Sequence, residues 1–167
     1  MIANKKYVDD EVDTKKAKTI YLPITTFRDN HIVTPLNTGG AAITGANDRA
    51  STTIVLPSDL TTITKITFWG YSNVAETDGM VAGVYVVGGA DNEARDNHNF
   101  FVTDVTTTTN FAVNDNVKWE ITSADSAVLS DFTAGDYLTW IEIRYNAEIS
   151  ADCATNAQIG GILIEYE

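Results

Sequence analysis

Two histidines, His31 and His98, and one cysteine, Cys153, are the side chains of this 167-residue sequence best suited to act as bases, nucleophiles or soft metal ligands. Neither histidine lies in an HExxH pattern or near Cys153 in sequence. No nucleophile elbow accompanies them either, so local spacing spells out neither a zinc site nor a catalytic triad. The 23 carboxylates are too many to nominate the pair that glycoside hydrolysis requires. Two oxygen-rich loops, Asp91 to Asn97 and Asn114 to Asn116, lack the Asp, Asp/Asn, Gly, Glu spacing of a calcium-binding EF-hand and read as solvated turns. Gly39-Gly40 and Gly88-Gly89 are not followed by a helix whose N-terminus would cradle phosphate. The expectation is a non-enzymatic chain with no catalytic, metal-binding or cofactor-binding residues. What remains chemically interesting is aromatic. Trp69 with Tyr71, and Trp140 beside Glu142 and Arg144, share strand faces with polar residues. These are candidate interface or ligand aromatics, unless a second layer or a loop covers them.

Strands must carry these aromatics. In Gly135 to Tyr145, strict alternation puts Tyr137, Thr139, Ile141, Ile143 and Tyr145 on one face and Leu138, Trp140, Glu142 and Arg144 on the other. Residues Phe132 to Asp136 before it read as a turn. Eight main strands are expected: Ile20 to Phe27, Ser51 to Leu56, Ile63 to Ser72, Met80 to Val87, Asn99 to Val105, Asn116 to Thr122, Asp136 to Tyr145 and Gln158 to Tyr166. Clusters of Asn, Asp, Gly, Pro and Ser separate them. Eight strands without intervening helices predict an all-β antiparallel two-sheet sandwich, with Ile141, Ile143, Ile162, Ile164 and Trp119 in its core. Ile32 to Thr34 is a candidate ninth strand, Asn37 to Arg49 the longest glycine-rich loop, and Ser123 to Ser130 a candidate helical turn.

The chain before the strands differs in kind. Between Asn4 and Ala17, Val8 and Val12 sit one helical turn apart, and Lys5 with Asp9, Lys6 with Asp10 and Glu11 with Lys15 have i,i+4 spacing. A helix of about fourteen residues is marginal alone, so residues 1–18 read as an attachment or oligomerisation arm, helical or extended, ahead of a body at 19–167. A frayed, solvated arm is the other reading.

Charge follows the same division. The net charge is −12; five lysines against four acids leave residues 1–18 at +1 and the body at −13. An acidic body repels phosphate, which argues against nucleic-acid binding. With one cysteine no intramolecular disulfide forms. No apolar run is long enough to span a membrane and no signal-peptide core opens the chain, so the protein is expected to be made and kept in a cytoplasm or released by lysis.

Several segments resemble the jelly-roll virion domains of tailed bacteriophages: Ile54 to Leu60 (IVLPSDL), the aromatic Phe68-Trp69-Gly70-Tyr71, Gly79 to Val86, Ala134-Gly135-Asp136-Tyr137-Leu138 before a long strand, and the ending Gly160 to Tyr166. The likeness spans about Ser51 to Tyr166. Ala3 to Asp10 (ANKKYVDD) is similar to a segment of phage fibre and appendage proteins that leads into a trimeric element. The resemblance implies a jelly roll and a homotrimeric fibre head, spike or capsid-decorating protein. It would be anchored on other virion proteins by the arm residues Lys5, Lys6, Tyr7, Val8 and Val12, with Trp69, Tyr71 or Trp140 buried between subunits. No long coiled coil precedes the body, which speaks against a fibre shaft. The alternative is a carbohydrate- or receptor-binding jelly-roll module, a fibre-tip adhesin that uses the same aromatics to bind host-surface glycan.

Overall fold

The computed structural model describes residues 17–24, 26–28, 41–43, 49–72, 75, 79–95, 97–107, 110–145 and 157–167. Among these residues ten strands succeed one another: β1 (Lys18–Pro23), β2 (Thr26–Arg28), β3 (Ala41–Ile43), β4 (Arg49–Val55), β5 (Ile63–Ser72), β6 (Val81–Gly89), β7 (His98–Thr106), β8 (Asn116–Thr122), β9 (Tyr137–Tyr145) and β10 (Ala157–Tyr166). One sheet has the order β1-β10-β5-β8 with β3 also paired to β10, and the other β2-β4-β9-β6-β7. Setting aside the three-residue β2 and β3, the strands counted in chain order run first-eighth-third-sixth in one sheet and second-seventh-fourth-fifth in the other. That order is two interlocked Greek keys, a jelly roll. The all-β, two-sheet expectation holds.

The core lies between the sheets. Ile66, Phe68, Ile121, Ile162 and Ile164 from the first sheet meet Val84, Val86, Leu138, Ile141 and Ile143 from the second, all fully buried. Each contributes about 1.5–3 kcal/mol by leaving water. Trp119 belongs to the same core; its indole N–H donates to the Met80 carbonyl at 3.1 Å, so the ring is buried without an orphaned donor.

Three expectations need correction. Ile20 to Phe27 is not one strand: β1 pairs with β10 and β2 with β4, in different sheets. Pro23 ends β1 because it offers no ladder donor and its fixed φ suits a corner. The glycine-rich Asn37 to Arg49 stretch is not all loop, since Ala41–Ile43 adds to β10. Strict alternation also fails in β9. Ile54 and Gly88 oppose Leu138, whereas Thr52 opposes Ile141 and Val87 opposes Trp140. Thr139 is therefore an extra residue, a bulge that turns Leu138 into the core and leaves Tyr137 exposed.

The turn ahead of β9 is where Phe132 to Asp136 predicted one. Gly135 takes φ +84°, a left-handed conformation natural to glycine. Asp136 closes the turn through its carboxylate, which accepts from the Thr133 N–H at 2.7 Å. The Ser123 to Ser130 helical turn is a 3-10 turn over Ala127–Asp131. Ala17 precedes β1 without helical structure, and Lys18, its first residue, pairs with Asp59 at 2.6 Å. Residues Lys5, Lys6, Tyr7, Val8 and Val12, the Ile32 to Thr34 strand, His31 and Cys153 lie outside the described residues.

Candidate functional site

The bulge at Thr139 also sets the outer face of the second sheet. Downstream of it Trp140, Glu142 and Arg144 project away from the core, since Ile141 and Ile143 point into it. Cross-strand register places Arg49 opposite Arg144, Ser51 opposite Glu142, and Tyr85 opposite Glu142 from the other side. A cleft of about 300 Å³ opens among Arg49, Tyr85, Arg95, Trp140, Glu142 and Arg144.

Its floor is a buried carboxylate. Glu142 is fully buried; Oε2 accepts the Trp140 indole N–H at 2.6 Å and lies 3.7 Å from the Arg49 guanidinium. Its other oxygen has no hydrogen-bond partner. A buried polar atom without a partner carries a desolvation cost that stable folds usually avoid. The Trp140 bond fixes the indole beside the cleft.

The walls are held by neighbours. Thr139 Oγ1 lies 3.3 and 3.5 Å from the Val87 and Arg95 carbonyls, so its single O–H, shared between them, links the bulge to the β6–β7 loop that carries Arg95. Arg144 lies over the Phe101 ring, 3.9 Å from its centroid, and Tyr85 meets that ring edge-on at 6.3 Å. Gly83 makes the Phe101–Arg144 contact possible, because a Cβ there would come within 2.9 Å of the phenyl ring.

The structure separates the aromatics named from sequence. Trp140 lines the cleft, whereas Trp69 and Tyr71 are on the outer face of the opposite sheet. Trp69 lies over Gly160, where a Cβ would meet the ring at 2.5 Å, with Tyr21 6.1 Å away. Tyr71 hydrogen-bonds Gln158. That face is otherwise laced with ions: Lys65 reaches Glu165 at 2.6 Å and Glu120 at 3.3 Å, and Lys118 reaches Glu120 at 3.0 Å. Burial raises the Glu120 pKa, but hydrogen bonds from Lys118 and Lys65 outweigh it and hold the carboxyl below its ordinary value.

His98 is outside the cleft, edge-on to Phe132 at 5.7 Å and 3.8 Å from Glu93. Two of the loop acids are occupied in turns: Glu93 accepts the Ala90 N–H at 3.0 Å and Asp115 the Ala112 N–H at 2.7 Å. Among the described residues no cluster of three His, Cys, Asp or Glu side chains is placed to hold a metal ion. No described helix is long and apolar enough to cross a membrane.

Sequence reading singled out Trp140 but missed Arg49, Tyr85, Arg95 and Phe101 as its companions. One usable pattern was there: only four arginines exist, Arg28, Arg49, Arg95 and Arg144, and none lies in the lysine-bearing first 18 residues.

No protein-family model and no curated protein matches the chain. Among the solved structures similar to it are two that it covers almost end to end. One is a carbohydrate-binding module, CBM36, in complex with calcium and xylotriose, at 13% identity, covering 89% of this chain and 98% of that one, with TM-score 0.47. The other is the CBM36-1 domain of a multidomain xylanase from the hindgut metagenome of Trinervitermes trinervoides, at 18% identity, covering 89% and 95%, with TM-score 0.44. Likeness at this level carries no argument about what the cleft binds.

Proposed function

We propose that this protein is a non-catalytic carbohydrate-binding module and that its ligand enters the cleft between Trp140 and Tyr85. The observation that carries this reading is the pairing of an aromatic ring with fixed polar groups: the Trp140 indole is locked by Glu142 beside the arginines of the same cleft. A pyranose has an apolar C–H face that packs on an aromatic ring and an equatorial rim of hydroxyls that needs donors and acceptors. A small concave site with apolar sides and a few convergent polar groups meets both demands. Binding is favoured over hydrolysis because Glu142 is the single carboxylate among the described lining residues, whereas glycosidases work with two.

The phage-virion setting, with a homotrimer anchored through residues 1–18, rests on the sequence resemblance alone. It is compatible with a glycan-binding head. The test is titration of the purified protein with a panel of neutral and acidic oligosaccharides, followed by tryptophan fluorescence. Binding quenches Trp140, and Trp140→Ala abolishes it while Trp69→Ala does not. A panel that leaves the wild-type fluorescence unchanged and gives no heat by calorimetry overturns the reading.

A further inference from the structure

The arginines of this acidic protein are segregated. Of the four, Arg49, Arg95 and Arg144 line one cleft, and Arg28 is the register partner of Arg49 on β2. The described lysines lie elsewhere: Lys18 on β1, Lys65 on β5 and Lys118 on β8, all in the other sheet. In register, Arg28, Arg49 and Arg144 form a row across β2, β4 and β9.

The Arg49–Arg144 pair within this row is unfavourable by itself. Like charges directly opposite on neighbouring strands repel, and the only described carboxylate in the cleft, Glu142, stands 3.7 Å from Arg49. Arg144 has the Phe101 ring against it, and neither Arg95 nor Arg144 forms an ion pair with a described acid. Three guanidinium groups against one carboxylate leave the described lining of the cleft at +2 in a protein of net charge −12. The choice of arginine matters: its planar fork matches a carboxylate or sulfate with two parallel hydrogen bonds, which the point charge of lysine does not.

We infer that the sugar taken by this cleft is anionic, its carboxylate or sulfate bridging Arg49 and Arg144, with Trp140 and Tyr85 flanking the ring. This rests on the carbohydrate-binding reading above and narrows its substrate class. The charge of the whole molecule narrows it further. A chain as densely charged as a nucleic acid is repelled by the acidic body, while an isolated anionic sugar unit meets only the local positive field. Glu142 holds Trp140 and faces Arg49, which makes it a positioning residue in the floor.

The test compares four probes on the full chain by calorimetry: a xylo-oligosaccharide carrying a single glucuronic acid, its methyl ester, a disaccharide carrying a single sulfate and the neutral xylo-oligosaccharide. The acidic oligosaccharide binds, and esterification weakens it at least about tenfold, the worth of a charge-assisted hydrogen bond. Arg144→Gln causes a loss of about the same size and lowers the salt dependence of binding. The sulfated probe distinguishes the two anions: binding by either one alone or by both supports an anionic ligand. Circular dichroism confirms that the variant is folded, and Arg49→Gln serves if it is not. Neutral and acidic probes bound equally, with Arg144→Gln silent, overturn the anionic inference and leave carbohydrate binding standing. No binding of any probe overturns both.

Discussion

Trp140 and Glu142 are two residues apart on the same face of β9, and the indole N–H donates to the Glu142 carboxylate at 2.6 Å. The bond exists because both side chains lie on the regular stretch of β9 after the bulge at Thr139, where Ile141 between them points into the core. Among the described residues it is the one short hydrogen bond on this buried carboxylate, whose other oxygen has no partner. Trp140→Phe keeps an aromatic surface and deletes the donor. The expected cost is about 1–3 kcal/mol, read as a lower urea midpoint at unchanged slope. An unchanged midpoint would mean that Glu142 finds another donor.

Ile143 is fully buried on the opposite face of the same strand, between Ala50 and Val84 in register. Ile143→Ala removes three carbons from a packed site and should cost about 2–5 kcal/mol, again by chemical denaturation. A loss below about 1 kcal/mol would show that the neighbouring strands collapse into the space.

Gly83 tests the cleft wall rather than the core. The ring that its added Cβ would meet belongs to Phe101, which is 38% exposed and free to swing outward. Gly83→Ala should therefore shift stability by less than about 1 kcal/mol while taking the phenyl ring off Arg144. Ligand affinity should fall without a matching fall in melting temperature. Equal affinity would show that Phe101 does not orient Arg144.

Acid should weaken the outer face of the first sheet. The folded-state pKa of Glu120 lies below its ordinary 4.5, so the unfolded chain binds more protons as pH falls. The contribution is present above about pH 4.5 and is lost as pH drops through the folded value. Partial exposure keeps it under about 1 kcal/mol. Comparing urea midpoints at about pH 6 and about pH 3 in wild type and Glu120→Gln isolates it, and the variant should show the shallower decline. The Lys65 pKa is raised, chiefly by its hydrogen bond to Glu165, so its share is lost at the other end, as pH rises past about 10.5.

Truncation separates arm from body. The pairing of β1 with β10 starts at Lys18 opposite Tyr166, so deletion of residues 1–16 leaves every described strand its partners. The truncated protein should unfold within about 0.5 kcal/mol of the full chain. If the virion setting is right, it should also fail to incorporate into particles, whereas normal incorporation would move attachment to the body.

The sequence by itself determined which residues form the long strands and which of them face inward. Period-2 alternation of Ile, Val, Phe and Trp between turn-forming clusters is a local signal, and it placed Ile141, Ile143, Ile162, Ile164 and Trp119 in the core. It also set Trp140 beside Glu142 and Arg144, because i and i+2 neighbours on an unbulged stretch of strand share a face. Only the tertiary structure decided the rest. The break after Pro23 sends β1 and β2 to different sheets, and the bulge at Thr139 depends on how β4 and β6 pair with β9; both are set by partners far away in sequence. The cleft is of the same kind. Arg49, Tyr85, Arg95 and Trp140 come from separate strands and a loop, and only sheet register brings their side chains to one place. Likewise Trp69, equivalent to Trp140 by local pattern, faces the other side of the sandwich over Gly160, since the two sheets point their outer faces in opposite directions.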